Sequence, residues 1–217
     1  MQDYSLIIIG GGGHTRVLIG MLKTVARPIT GILTRDASLL EEMVHEVPVL
    51  GLEDSYALDA AHTHLINGVG NKATRSSSGL VLREQLFSRY KARGFSFAQV
   101  ISEHAVIQPD VMLGEGVQVM PGAVVQPGAM VGENSIINTC ASIDHDVVIY
   151  PHAHIAPGAV LCGDVVVGER THVGAGAVVI QGIRIGSDVI IGAGAVITRN
   201  VPDGAVILPS PSEHIVR

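Results

Sequence analysis

From Ile107 to Ile197 a large aliphatic residue recurs at every sixth position with no insertion: Ile107, Leu113, Val119, Val125 and onward through Ile185, Ile191 and Ile197, sixteen in all. Four positions after each stands a smaller apolar residue, from Val111, Val117 and Ala123 to Val201, with hydroxyls only at Ser135 and Thr171. The third position after each is Gly, Asn or Asp in thirteen of the sixteen hexads, the residues that tolerate left-handed backbone angles. The position before that repeatedly holds proline (Pro109, Pro121, Pro127, Pro151, Pro157), as a turn favours. Six residues make a short strand and a corner, and the large aliphatic points into a narrow interior. Three such hexads close a triangular coil, so the spacing predicts a left-handed parallel β-helix of a little over five coils.

Before Ile101 the pattern differs. "SLIIIG" (Ser5–Gly10) is a continuous apolar run, as expected of a parallel strand buried on both faces. A helix is predicted from about His14 to Val25, strands over "ITGILT" (Ile29–Thr34) and "HLINGVG" (His64–Gly70), and a serine-capped helix over Ser76–Gly94. Alternating strands and helices predict a small parallel α/β sheet of Rossmann-like type. The expected organisation is an α/β domain over residues 1–98 and the β-helix over residues 99–217.

Composition narrows the function classes. Twenty-six glycines with a mean hydropathy of +0.41 indicate tight turns between apolar strands rather than disorder. A net charge of −6 without a Lys/Arg run argues against nucleic acid as partner. No apolar segment approaches the ~20 residues of a membrane helix, and the start "MQDYSLIIIGGGGH" does not read as a secretory signal. With two cysteines, Cys140 and Cys162, a reduced cytoplasmic protein is expected.

The repeat gives every histidine a slot. His152 and Asp146 occupy the left-handed-turn slot, which explains both structurally. His145 occupies the corner slot and should point outward. His154 and His172 stand just before the buried aliphatic, on an outward edge, stacked one coil apart; no third ligand is spaced to complete a metal site. His145 and His154 are half a coil apart, so they can meet only across two prisms packed side by side.

These residues resemble a family: bacterial sugar acetyltransferases that join a small nucleotide-binding α/β domain to a left-handed β-helix. Its members acetylate the 4-amino group of nucleotide-linked 4-amino-4,6-dideoxy sugars, and a sister group O-acetylates sialic acid. The marks are "GGGGH" (Gly10–His14), "INTCASIDHD" (Ile137–Asp146), and His154 nine residues beyond His145. The resemblance implies His145 as general base, with Asp146 or Asp144 orienting it, and Gly163 supplying a backbone N–H to the oxyanion. It implies that His154, with His172 on the same edge, lies on the acetyl-CoA side, and that Asn138 faces the sugar. Gly11, Gly12, Gly13 and His14 would hold the nucleotide's phosphates, and Asp36 its base or ribose.

The chemistry suits these residue types. An imidazole accepts a proton near neutral pH, and a fixed N–H stabilises a tetrahedral oxyanion. Direct transfer needs no thiol, although Cys140 lies near enough for a ping-pong route. The glycine loop lacks the third glycine of a dinucleotide fingerprint, which argues against NAD. Two departures from the family pattern stand out. Arg35 replaces one of two adjacent acids, leaving UDP, dTDP and GDP open. Pro209, Pro211, Ser212 and Glu213 replace a C-terminal lysine-bearing stretch beside CoA, with Arg184 and Arg199 left to compensate. The expected function is acetyl-CoA-dependent N-acetylation of a nucleotide-linked amino sugar by a homotrimer with sites between subunits and no metal. A sialic-acid-type O-acetyltransferase and a non-catalytic trimeric β-helix are the rivals.

Overall fold

The computed structural model describes residues 4–40, 42–71 and 79–209. Its N-terminal part is a six-stranded sheet of β1 (Ser5–Ile9), β2 (Gly31–Thr34), β3 (Met43–Val44), β4 (Val47–Leu52), β5 (Thr63–Asn67) and β6 (Ser96–Phe97). The spatial order is β3-β4-β2-β1-β5-β6, parallel except for the β3–β4 hairpin. Leu6 and Ile8 join one apolar core with Leu18, Ile19 and Leu22 of α1 (Gly13–Thr24), while Ile7 and Ile9 join a second with Leu86, Phe87 and Tyr90 of α2 (Leu80–Ala92). Two-sided burial is why the run from Leu6 to Ile9 carries no polar residue. The serines expected to cap α2 lie outside the described residues, as do Pro211, Ser212 and Glu213.

Among the described residues, eighteen two-residue strands follow, β7 (Val100–Ile101) to β24 (Val206–Ile207), stacked into faces of seven, six and five strands as a left-handed parallel β-helix. The second residue of each strand from β8 (Val106–Ile107) to β23 (Val196–Ile197) is one of the sixteen predicted aliphatics. Register confirms the coil: Val119 pairs with Ile137, Ile137 with Ile155 and Ile155 with Val173, each one coil apart. The turn slot takes positive φ at Gly, Asp and Asn134, and also at Cys140, His152 and Arg170, where the ladder imposes the angle on residues that do not favour it. Asn200 is the exception. The last hexad is interrupted there, Val201 makes only an isolated bridge to Ile185, and Gly204 takes the left-handed angle instead.

The two parts are docked. Val100, Met120 and Ile136 of the seven-strand face belong to the same core as α1. Arg83 of α2, fully buried, donates to the carbonyls of Asn67, Val69 and Asn134, joining the end of β5 to a β-helix turn. That docking fixes where the glycine loop stands over the prism.

Candidate active site

The corner slot has a property that matters for chemistry. Residues before and after it donate their amides to the neighbouring coil, as Asp144 does to Leu161 and Asp146 to Pro127, whereas the corner amide lies outside that ladder. Proline is tolerated there for this reason. Where the corner residue is Gly163, its N–H has no acceptor among the described residues.

His145 occupies the corner one coil below, where the six-strand face turns into the five-strand face. Its side chain is 56% exposed, and its Nδ1 lies 2.9 Å from Oδ2 of Asp146. An ionised carboxylate can only accept, so Nδ1 carries the proton and Nε2 presents its lone pair. Asp144 accepts the backbone N–H of His145 at 2.8 Å instead. Asp146 thus orients the ring and Asp144 the backbone. Gly128, one coil below Asp146, leaves the space its carboxylate fills. A Cβ placed on Gly163 would stand 2.6 Å from both Cε1 and Nε2 of His145. The His145 ring therefore lies against Gly163, in the space that a side chain there would fill. The hydrogen bond to Asp146, with the charges of Asp144, Asp146 and Asp164 adding to it, raises the His145 pKa above the ordinary histidine value.

His154 and His172 stack as the spacing requires, ring centroids 5.1 Å apart. His154 stands in the outward slot that its spacing predicts. The N-terminal part covers that face of the prism, leaving His154 7% exposed. Asn71 reaches His172 Nδ1 at 2.7 Å from the same side. Asn138 donates from Nδ2 to His154 Nε2 at 3.0 Å, its Oδ1 being engaged by the amide of Thr139. Burial, then the nearby His172, His14 and Arg83, hold the His154 pKa well below the ordinary value. A neutral His154 accepting at Nε2 carries its proton on Nδ1, which is buried without a partner. Asn138 thus touches His154 rather than His145. His152 is a turn residue: it has φ 63°, is buried, and receives a hydrogen bond from Asn134.

The glycine loop divides by task. Gly11 packs against Leu39 and Thr34, where a Cβ would meet Leu39 at 2.5 Å, whereas Gly12 and Gly13 have open space above them. Thr15, fully buried, ties the loop down by donating to the Gly10 carbonyl at 2.6 Å. Helix α1 starts there without a side-chain cap or an acidic residue in its first turn, so its amide ends are open to an anion. Asp36 accepts hydrogen bonds from the amide and hydroxyl of Ser38 and stays exposed at the end of β2.

Two residues escaped the sequence reading. Gln118 sits one coil below Ile136, on the same outward column as His154, and holds His14 at 2.7 Å. It is a polar exception in a slot mostly Val, Ile or Met, so the repeat did mark it. Arg83 lies in the stripe of Leu80, Leu86, Phe87 and Tyr90, an arginine where helical spacing calls for an apolar residue. A cleft of about 620 Å³ lined by Tyr150, Arg184 and Asn200 lies on another corner of the prism and does not include His145. Among the described residues no cluster of three His, Cys, Asp or Glu could hold a metal, and no helix is long and apolar enough to cross a membrane.

Comparison with known proteins places this arrangement. The bacterial transferase hexapeptide family (six repeats) matches residues 110–145 and 164–199. Among solved structures, the acetyltransferase domain of PglB from Neisseria gonorrhoeae in complex with acetyl coenzyme A is 31% identical, with a TM-score of 0.84, 98% of this chain and 100% of that one covered. A mutant of perosamine N-acetyltransferase from Caulobacter crescentus in complex with CoA and GDP-perosamine is 34% identical, with a TM-score of 0.82 and coverage of 96% and 95%. WeeI from Acinetobacter baumannii is 25% identical, with a TM-score of 0.82 and coverage of 97% and 99%. No curated protein matches the chain.

Proposed function

Because the chain belongs to the family of bacterial nucleotide-sugar acetyltransferases built on a left-handed β-helix, we propose that it moves the acetyl group of acetyl-CoA to the 4-amino group of a nucleotide-linked amino-dideoxy sugar, with His145 as base. The observation that carries the mechanism is the contact between His145 Nε2 and the free-amide corner of Gly163. The sugar amine attacks the thioester carbonyl, forming a C–N bond, and the Gly163 N–H binds the oxyanion. His145 Nε2 takes the proton from nitrogen while Asp146 holds the resulting imidazolium. Collapse breaks the C–S bond, and the proton passes to the CoA thiolate. No acyl-enzyme forms, so Cys140 and Cys162 take no part.

His145 stands on an open corner, and an acyl donor held there needs a second surface. The six-strand face beside it supplies a reason for one: its outward column is Val106, Val124, Ser142, Val160, Val178 and Val196, aliphatic but for one serine. A closed trimer would bury these columns and bring the seven-strand face of one chain near the His145 corner of the next. In that reading His154, with His172 beside it, lies on the acetyl-CoA side of the cleft. Val160→Glu, at the middle of the column, should convert trimers to monomers by light scattering and remove transfer activity. Trimers that persist in the Val160→Glu variant, with a carboxylate set into the column, would contradict this placement.

A second prediction concerns pH. The base must be unprotonated, and Asp146 raises the His145 pKa, so the acid limb of kcat/KM should lie above the ordinary histidine value. Asp146→Asn should move that limb to lower pH while lowering the plateau, because the ring loses its orienting acceptor. An unmoved limb would show that another group titrates. The acceptor class is tested by thiol release from acetyl-CoA with amine and hydroxyl sugars: release driven by a 4-amino sugar nucleotide supports the reading, release driven by a sialic acid contradicts it.

A further inference from the structure

The hydrogen bonds around His14 determine which of its nitrogens carries the proton. Gln118 Nε2 lies 2.8 Å from the backbone carbonyl of Asn67, a group that can only accept. The amide oxygen of Gln118 therefore faces the other way, 2.7 Å from His14 Nε2. Nε2 must donate, so it carries the hydrogen. Burial, followed by the charge of Arg83, lowers the His14 pKa to about 4, with the hydrogen bond to Gln118 opposing this only in part. The other titratable groups nearby are His154 and His172, both depressed by burial as well, so none supplies a carboxylate to draw a second proton. At neutral pH the ring is uncharged and Nδ1 is a bare acceptor, with no donor among the described residues. It stands in the first turn of α1, beside the open Gly12 and Gly13.

This chemistry does not suit a phosphate. A diphosphate diester at neutral pH offers only acceptor oxygens, and two acceptors facing each other repel. A hydroxyl or an amine matches.

We propose that Gln118 is a positioning residue that holds His14 as a neutral hydrogen-bond acceptor, and that His14 Nδ1 receives a hydrogen bond from a hydroxyl or amino group of the sugar nucleotide. The diphosphate then takes the amide groups at the start of α1. The inference rests on the sugar-nucleotide reading above and assigns His14 a different task from the phosphate contact that the glycine loop first suggests.

The test uses the full chain labelled with ¹⁵N-histidine and three probes that do not titrate near neutrality: UDP-glucose, dTDP-glucose and GDP-mannose. Long-range ¹H–¹⁵N spectra at pH 7, with His14 assigned from His14→Gln, should show one N–H, on Nε2, both free and with probe bound. The heat of binding should be independent of the buffer's ionisation enthalpy, meaning that no proton is taken up. Gln118→Glu should turn His14 into a cation at pH 7 and make binding lose its neutral-ring signature; if that variant does not fold, the wild-type spectra still decide. A bound His14 with two N–H groups, or with its proton on Nδ1, overturns the proposal. So does uptake of about one proton per site that vanishes in His14→Gln. Failure of all three probes to bind has a different signature, no heat and no shift, and overturns the ligand half together with the sugar-nucleotide reading.

Discussion

His145→Ala should lower acetyl transfer by about 10²–10⁴-fold, the contribution typical of a positioned general base. The fold should be unaffected, because the side chain is more than half exposed and its hydrogen bond goes only to the neighbouring Asp146. The backbone of residue 145 is held separately, its amide by Asp144 and its carbonyl by the amide of Asp164 in the next coil. Alanine keeps both of those contacts. Thermal melting should therefore coincide with that of the unaltered protein while thiol release collapses. The loss should appear in kcat rather than in the KM for acetyl-CoA, since the imidazole acts on the transferring proton. Near-normal turnover in this variant would remove the base from the mechanism.

The second large effect is expected from Gly163→Val. Gly163 does not adopt a positive φ, so valine is compatible with its backbone, and its amide belongs to no ladder bond that the change could break. What valine cannot do is share the space. Its Cβ would fall 2.6 Å from Nε2 and Cε1 of His145 and drive the imidazole off the corner. The same bulk shields the amide from the thioester oxygen. Losing an oxyanion donor costs about 10²–10³-fold in kcat, and displacement of the base adds to that. The double variant His145→Ala, Gly163→Val should be little worse than His145→Ala alone, because the two residues act as one unit. Independent, multiplying losses would mean that the glycine and the histidine do not share a site.

The β-helix was legible because each of its contacts is one coil away, so a fixed spacing in the chain is a fixed neighbour in space. Stacking Ile137 on Val119 and His145 beneath Gly163 follows from counting alone. Counting stops short where another part of the molecule intervenes or the repeat breaks. His154 holds the outward slot that its spacing predicts, yet the slot says nothing about which domain lies over it, and the N-terminal part does. Asn200 should have turned left-handed, but the repeat breaks there and the requirement passes to Gly204. The β3–β4 hairpin was missed for a local reason: its two-residue turn is His45–Glu46, both at positive φ, where Asn-Gly is the recognisable signal. Arg83 and Gln118 carry contacts between the two parts, and each breaks an apolar pattern in its own element. Such exceptions say that a polar partner exists without saying where it is.

The central claim is tested most directly by giving the purified chain acetyl-CoA and a nucleotide-linked 4-amino-4,6-dideoxy sugar, then measuring thiol release together with the mass and alkali stability of the sugar product. The account predicts one thiol released per sugar acetylated, an alkali-stable amide as product, and no acetyl group left on the protein. Thiol release that does not depend on the amino sugar, an alkali-labile ester, or an acetylated Cys140 would contradict it.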